Sequence, residues 1–281
     1  MSAETFDLQN DDFKKMADFF YTNGFVILEN ALAPEMIASL RNDLNTVDSH
    51  YKNGQSAKDN KKAEKGSRHK VHKCFFENSR ATVDLIENSK LTDFAQYVIG
   101  DIPGARPDGN SLTAHVIHNN AFIVPPGGRG QAPGWHVDDP LQQIIIPNNY
   151  ALPPYIRLPV LNATYMIWLS DCDTPDKGPT YVVPGSHRYG RPVNNVEAER
   201  KGIPMCGKAG TAVLVNANVW HRGCANTSNV PRETLQITFA RRIIGHKFKT
   251  IMNYQMPDYV TKGRSDILRQ RMGFLEGGAY S

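Results

Sequence analysis

Residues 134–140 read GWHVDDP, and the fold expected of the whole chain turns on how His136 and Asp138 are understood. A polar turn closing a strand accounts for the pair with no chemistry. Two ligands of one metal ion account for it as well, and then a third ligand must stand elsewhere in the chain. The spacing suits ligation. Two residues apart on an extended segment, side chains share a face, so an imidazole and a carboxylate both reach one ion at ~2.0–2.2 Å. Val137 points away to pack, and the odd offset of Asp139 turns that rival carboxylate aside.

Nine histidines are available. The best third ligand is His221 in VLVNANVWHRGCAN, which follows an expected strand at the point where a barrel would deliver a side chain to its mouth. Two imidazoles and one carboxylate form the facial triad that holds non-haem Fe(II) and leaves coordination positions open for oxygen chemistry. Arg232 opens the next expected strand, in VPRETLQITFARR. There a guanidinium can pair bidentately with a ligand carboxylate inside a barrel. Arg241 and Arg242 are rivals at the far end of that strand. His115 and His118, three apart on one strand, face opposite sides and read as core or surface residues. His187 reads as structural, and Trp135 and Trp220 as packing that fixes the ligand backbone.

The surroundings fit a barrel. From about residue 111, SLTAHVIHNNAFIV, NATYMIWLS, TYVVP, TAVLVN and LQITFAR are short, β-branched and aromatic, and separated by Pro, Gly and Asn clusters. No helix of crossover length recurs between them, which excludes a parallel βαβ sheet and leaves an antiparallel sandwich or barrel. The first hundred residues are helical by pattern. Phe13, Met16, Ala17 and Phe20 make one stripe, stopped at Asn23-Gly24. GFVILEN is a short strand. Pro34 opens a second helix with Met36, Leu40, Leu44 and Val47. A third stretch, with a break, covers about 81–99 and ends at Gly100. The Lys-rich segment GQSAKDNKKAEKGSRHKVHK, 54–73, reads as a solvated loop or as a basic flap over an anionic ligand.

Composition narrows the class. The 281 residues are 40% hydrophobic and 21% charged, and the net charge of +4 gives no footprint for nucleic acid. The basic stretch lacks aromatics for base stacking, which disfavours a nucleic-acid demethylase. No apolar run reaches the ~20 residues of a membrane span, and the polar start is unlike a signal peptide. The four cysteines form no CxxC pair and read as free thiols of a cytoplasmic protein.

In order and interval, His136-x-Asp138, GPTYVVPGSH at 178–187, His221 with Asn226, Pro231-Arg232 and the opening NGFVILEN resemble the phytanoyl-CoA dioxygenase family, over roughly residues 12–245. That family belongs to the Fe(II)/2-oxoglutarate-dependent oxygenases. The resemblance implies a mainly β protein, a double-stranded β-helix (jelly-roll, cupin-like) core with N-terminal α-helices packed against it. It implies one domain over 1–281, helical to about 110, with the jelly-roll core at about 111–245 and a C-terminal extension at 246–281. His136, Asp138 and His221 would hold Fe(II), and Arg232 would bind the far carboxylate of 2-oxoglutarate. Asn120 is a candidate second cosubstrate contact, and Met166 a residue lining the same pocket. The implied activity is a dioxygenase that consumes O2, hydroxylates an unactivated C–H of a small molecule and releases succinate and CO2. The alternative is a non-catalytic ligand-binding member of the fold. Asp138 fills the position left small in iron-dependent halogenases, which argues against halogenation. Arg222, directly after His221, departs from the smaller residues common there and brings a second guanidinium that would alter ligand binding. The long Pro-rich connection 141–161 is where substrate selectivity is expected.

Overall fold

In a computed structural model, the described residues are 4–52, 69–100, 114–130, 134–138, 146, 151–153, 155–248 and 254–274. Asp139, residues 141–145, 147–150 and 154 of the connection 141–161, and the larger part of the Lys-rich segment lie outside them.

The first helix, α1 (Phe13–Asn23), begins where the Asp12 side chain accepts from the Lys14 and Lys15 amides and ends at Gly24. Gly24 has φ 79° and donates its N–H to the Phe20 carbonyl, the left-handed cap that glycine adopts without strain. The expected stripe faces inward, with Met16, Ala17 and Phe20 buried. In α2 (Pro34–Lys52), Leu40, Leu44 and Val47 are buried. The expected break in the third stretch separates α3 (Arg80–Glu87) from α4 (Lys90–Gly100). The Ser89 hydroxyl accepts from the Thr92 amide and starts the second of these helices.

Ten strands follow in chain order: β1 (Thr5–Asp7), β2 (Phe25–Glu29), β3 (Lys70–Lys73), β4 (Ala114–Val124), β5 (Asn162–Trp168), β6 (Tyr181–Val182), β7 (Ile203–Pro204), β8 (Ala212–Asn216), β9 (His221–Arg222) and β10 (Arg232–Arg241). Among the described residues they make a seven-stranded sheet, β1-β2-β8-β5-β10-β4-β3, and a smaller one, β7-β6-β9. His136 bridges to His221 and so extends the smaller sheet past β9. Only the β1–β2 pair is parallel; the others are antiparallel, as the absence of crossover helices requires. This is a jelly-roll with helices packed against the large sheet.

Side-chain alternation separates the two faces of the large sheet. Ala163, Tyr165 and Ile167 of β5 and Leu235, Ile237 and Phe239 of β10 belong to the apolar core beneath the helices. Their even-numbered neighbours, Thr164, Met166 and Trp168, and Arg232, Thr234, Gln236 and Thr238, line a cavity between the sheets. A one-residue slip of either strand would exchange these sets.

Two strands differ from expectation. The end of the Lys-rich segment is not loop: Lys70–Lys73 is edge strand β3, paired antiparallel with residues 120–123 of β4. Its lysines conceal it from a pattern reading, yet Lys on an edge strand is a device against pairing with other chains. Lys70 Nζ lies 2.7 Å from both Asp48 carboxylate oxygens. Strand β1, three residues long, is too short to show alternation.

Buried histidines make this fold acid-sensitive. Burial, then the neighbouring His246, pushes His115 down from 6.5 to about 4, although its Nε2–H donates to the Ile244 carbonyl at 2.6 Å. Burial also takes His187 down to about 4. A depressed histidine takes up its proton more readily in the unfolded chain. The stability it contributes is therefore present above pH 6.5 and lost as pH falls towards 4. At ~1.4 kcal/mol per pH unit each site costs about 3 kcal/mol over that range, a large share of a typical 5–15 kcal/mol total. His115→Gln keeps a donor for Ile244 but takes up no proton. In urea titrations at pH 7 and 4.5 it should lose about 2 kcal/mol less than the parent; equal losses would refute the assignment.

Candidate metal centre and cavity

The three proposed ligands meet at one mouth of the jelly-roll. His136 and His221 exchange backbone hydrogen bonds, each N–H donating to the other's carbonyl at 2.9 Å, while the Asp138 N–H donates to Ala217 O at 2.9 Å. His136 Nε2 lies 3.6 Å from Asp138 Oδ1, and His221 Nε2 3.6 Å from Asp138 Oδ2. One ligating atom from each residue falls within 4.8 Å of the others.

Local backbone geometry sets the tautomer of both rings by the same device. His136 Nδ1 is 2.8 Å from Gly134 O and His221 Nδ1 is 2.9 Å from Val219 O, each two residues back. A carbonyl only accepts, so each Nδ1 carries a proton, and each Nε2 is the ring atom that faces Asp138 and is left for a metal ion. Burial pushes the Asp138 carboxyl up, but bonds from His136 and His221 outweigh it and hold it well below the usual carboxylate range. The bond to Asp138 raises His136, against burial. Two imidazole lone pairs and an ionised carboxylate, mutually close and open on the cavity side, fit a divalent transition metal.

The turn at 184–187 positions His221 from behind. Ser186 Oγ accepts from the Trp220 N–H at 2.8 Å and donates to Val183 O at 2.7 Å. Fully buried Asn226 donates to Val124 O and Val230 O, tying the β9–β10 loop to β4.

A cavity of about 230 Å³ runs from this centre along β4, β5 and β10. At one end Arg232 is 8% exposed. Its Nε and Nη1 have no hydrogen-bond partner, nor have buried Trp168 Nε1 and Thr234 Oγ1 beside it. Burial lowers the Arg232 pKa, yet an arginine stays charged in a protein. Four polar groups on adjacent cavity-facing residues are thus left for a ligand, which is the recognition chemistry of a carboxylate. Arg241 takes another role, donating Nε–H to Val160 O at 2.8 Å.

Asn120 and Met166 both line the cavity. Asn120 Nδ2 donates to His118 Nε2 and to Gln236 Oε1, both at 3.1 Å, while its buried Oδ1 has no partner. His118, expected in the core or at the surface, instead lines the cavity, as do Gln236 and Lys247. Its even parity with Asn120, Phe122 and Val124 on β4 was the available signal. His115 faces the other way, against His246. Arg222 is not among the lining residues. It turns outward, with its guanidinium 5.1 Å from the Trp135 ring centre and 5.4 Å from that of Tyr181.

A jelly-roll with His-x-Asp and a distal His at one mouth, and a buried, cavity-facing arginine opening the following strand, is the architecture of an Fe(II)/2-oxoglutarate-dependent dioxygenase. Comparison with known proteins agrees. The chain matches Phytanoyl-CoA dioxygenase (PhyH) over residues 20–234 and belongs to that family. It is 25% identical over 254 residues to an ectoine dioxygenase of Nocardia farcinica, covering 78% of this chain and 75% of the relative. Among solved structures it is similar to EctD from S. alaskensis with 2-oxoglutarate and 5-hydroxyectoine bound (TM-score 0.61, 21% identity, 92% of this chain and 88% of that one). It is also similar to the α-ketoglutarate-dependent carbocyclase SnoK from nogalamycin biosynthesis (TM-score 0.62, 16% identity, 85% and 88%). At these identities the solved structures share the fold. The cofactors of the class are Fe(II), 2-oxoglutarate and O2. Among the described residues no helix is long and apolar enough to cross a membrane.

Proposed function

We propose that the chain hydroxylates an unactivated C–H of a small organic molecule, with His136, Asp138 and His221 holding the iron and Arg232 holding the far carboxylate of 2-oxoglutarate. The observation that carries this reading is the pairing of the ligand cluster with unpartnered, buried Arg232 at the end of the same cavity. Iron, when bound, supplies the activation of O2 that is coupled to conversion of 2-oxoglutarate to succinate and CO2. The chain supplies the rest. Arg232, Thr234 and Trp168 orient the cosubstrate, and Val124 and Phe122, across from Arg232 and Thr234 on β4, add apolar lining to the same cavity together with Met166.

The remaining lining supports a compact, partly polar substrate. His118, Asn120, Gln236, Thr238 and Lys247 offer donors and acceptors. The volume of about 230 Å³ lies below the roughly 300–1,000 Å³ typical of sites that enclose drug-sized ligands. The name of the Nocardia relative makes ectoine the first compound to try. Protein loaded anaerobically with Fe(II) and 2-oxoglutarate, then exposed to air with ectoine or related small polar compounds, should form succinate in an iron-dependent way and a substrate product heavier by one oxygen. Absence of iron-dependent succinate under every condition would refute the reading.

A further inference from the structure

Each proposed histidine ligand is flanked by a residue that reaches the same distant carboxylate. Helix α5 (Asn195–Lys201) lies behind the smaller sheet and carries Glu199. Trp135, just before His136, donates its indole N–H to Glu199 Oε2 at 2.9 Å. Arg222, just after His221, donates from Nη2 to Glu199 Oε1 at 3.0 Å. The Arg222 guanidinium lies over the Trp135 ring, 5.1 Å from its centre, so the two flanking side chains also hold each other. Gly202, at the end of the same helix, leaves space for the indole: a Cβ there would meet Trp135 at 2.3 Å.

We propose that Glu199 is a positioning residue for the metal centre, clamping the His136 and His221 segments in register so that both Nε2 atoms face Asp138. The proposal rests on the ligand assignment above. The two histidine segments are far apart in the chain, and each ring is oriented by a carbonyl of its own segment. Their mutual backbone bridge sets register at one residue pair. Rotation about that bridge is resisted by what grips the residues on either side. Glu199 grips one neighbour of each ligand, and it uses both carboxylate oxygens to do so. A second carboxylate of α5, two residues earlier, makes a related contact. There Glu197 pairs with Arg191, whose guanidinium lies 4.9 Å from the centre of the Trp220 ring, the other neighbour of His221.

Partners outside the ligand set typically change metal affinity 10–100-fold when removed. Glu199 is 59% exposed, which places the expected effect at the lower end and makes loss of the fold a poor explanation for any change. Anaerobic Co(II) titration of Glu199→Ala, following the visible absorption of the bound ion, should show about tenfold weaker binding and altered band intensities. The melting temperature of the metal-free protein should stay within about 2 °C of the parent. Glu199→Gln keeps an acceptor for Trp135 and should recover part of the affinity. Trp135→Phe keeps the stack but loses the donor; combined with Glu199→Ala it should weaken binding no more than Glu199→Ala alone. Parent-like Co(II) affinity and spectrum in Glu199→Ala would overturn the positioning role while leaving the ligand assignment standing. A parent protein that binds no Co(II), or binds it unchanged after His221→Ala, would overturn both.

Discussion

Alanine at His221 or at Asp138 will abolish stoichiometric iron binding and reduce iron-dependent succinate formation to background. On the proposed assignment three protein donors hold the ion, and loss of one should exceed the 10–100-fold penalty of losing an outer partner; about 100-fold or more in Kd is expected. The two variants should differ in the metal-free state. Asp138 lies 3.6 Å from Nε2 of both imidazoles, so Asp138→Ala removes both contacts at once and leaves two adjacent rings with centres 4.2 Å apart. His221→Ala leaves Asp138 paired with His136. Iron affinity by anaerobic equilibrium dialysis, together with succinate measured at saturating iron, separates the effects. Full iron-dependent succinate formation by both variants would show that the ligands lie elsewhere.

How much of this site could be read from sequence depends on the kind of information each part needs. The ligand spacing is a local property of an extended chain, so His136 and Asp138 are recognisable within three residues. The core stripes of α1 and α2 are legible for the same reason: Met16, Phe20, Leu40 and Leu44 recur at helical intervals and are fully buried. Strand alternation holds more than was drawn from it. His118 shares parity with Asn120, and Thr234 and Gln236 share parity with Arg232, so the part of the lining that β4 and β10 contribute is present in the pattern once one member is placed.

Contacts between elements were not legible. Arg222 next to His221 invites a role in ligand binding, but residues adjacent on a strand face opposite ways, and its destination depends on where α5 lies. Glu199 is 64 residues from Trp135 and 23 from Arg222 along the chain, and no local pattern joins the three. Strand β3 was concealed for a different reason. Its lysines suit an edge, and an edge strand borrows its regularity from the neighbour it pairs with, here β4.

Arg232 provides the sharpest separation of cosubstrate from metal. Arg232→Ala should raise the 2-oxoglutarate requirement about 100-fold and change the iron requirement little. A charged hydrogen-bonding pair of this kind contributes ~1.5–3 kcal/mol, and in a buried setting the upper figure, near 100-fold, applies. Arg232→Lys restores the charge without the planar fork and should recover only part of the loss. Stability should move in the opposite direction. Without a ligand, the guanidinium is buried with Nε and Nη1 unpartnered, a desolvation cost that a bound carboxylate would offset. The ligand-free Arg232→Ala protein should therefore melt no lower than the parent. Added 2-oxoglutarate should stabilise the parent by about 2.7 kcal/mol at 100 times its Kd and the variant scarcely at all. Equal increases in the iron and 2-oxoglutarate requirements, or a ligand-free variant that melts well below the parent, would mean that Arg232 supports the fold and does not hold the cosubstrate.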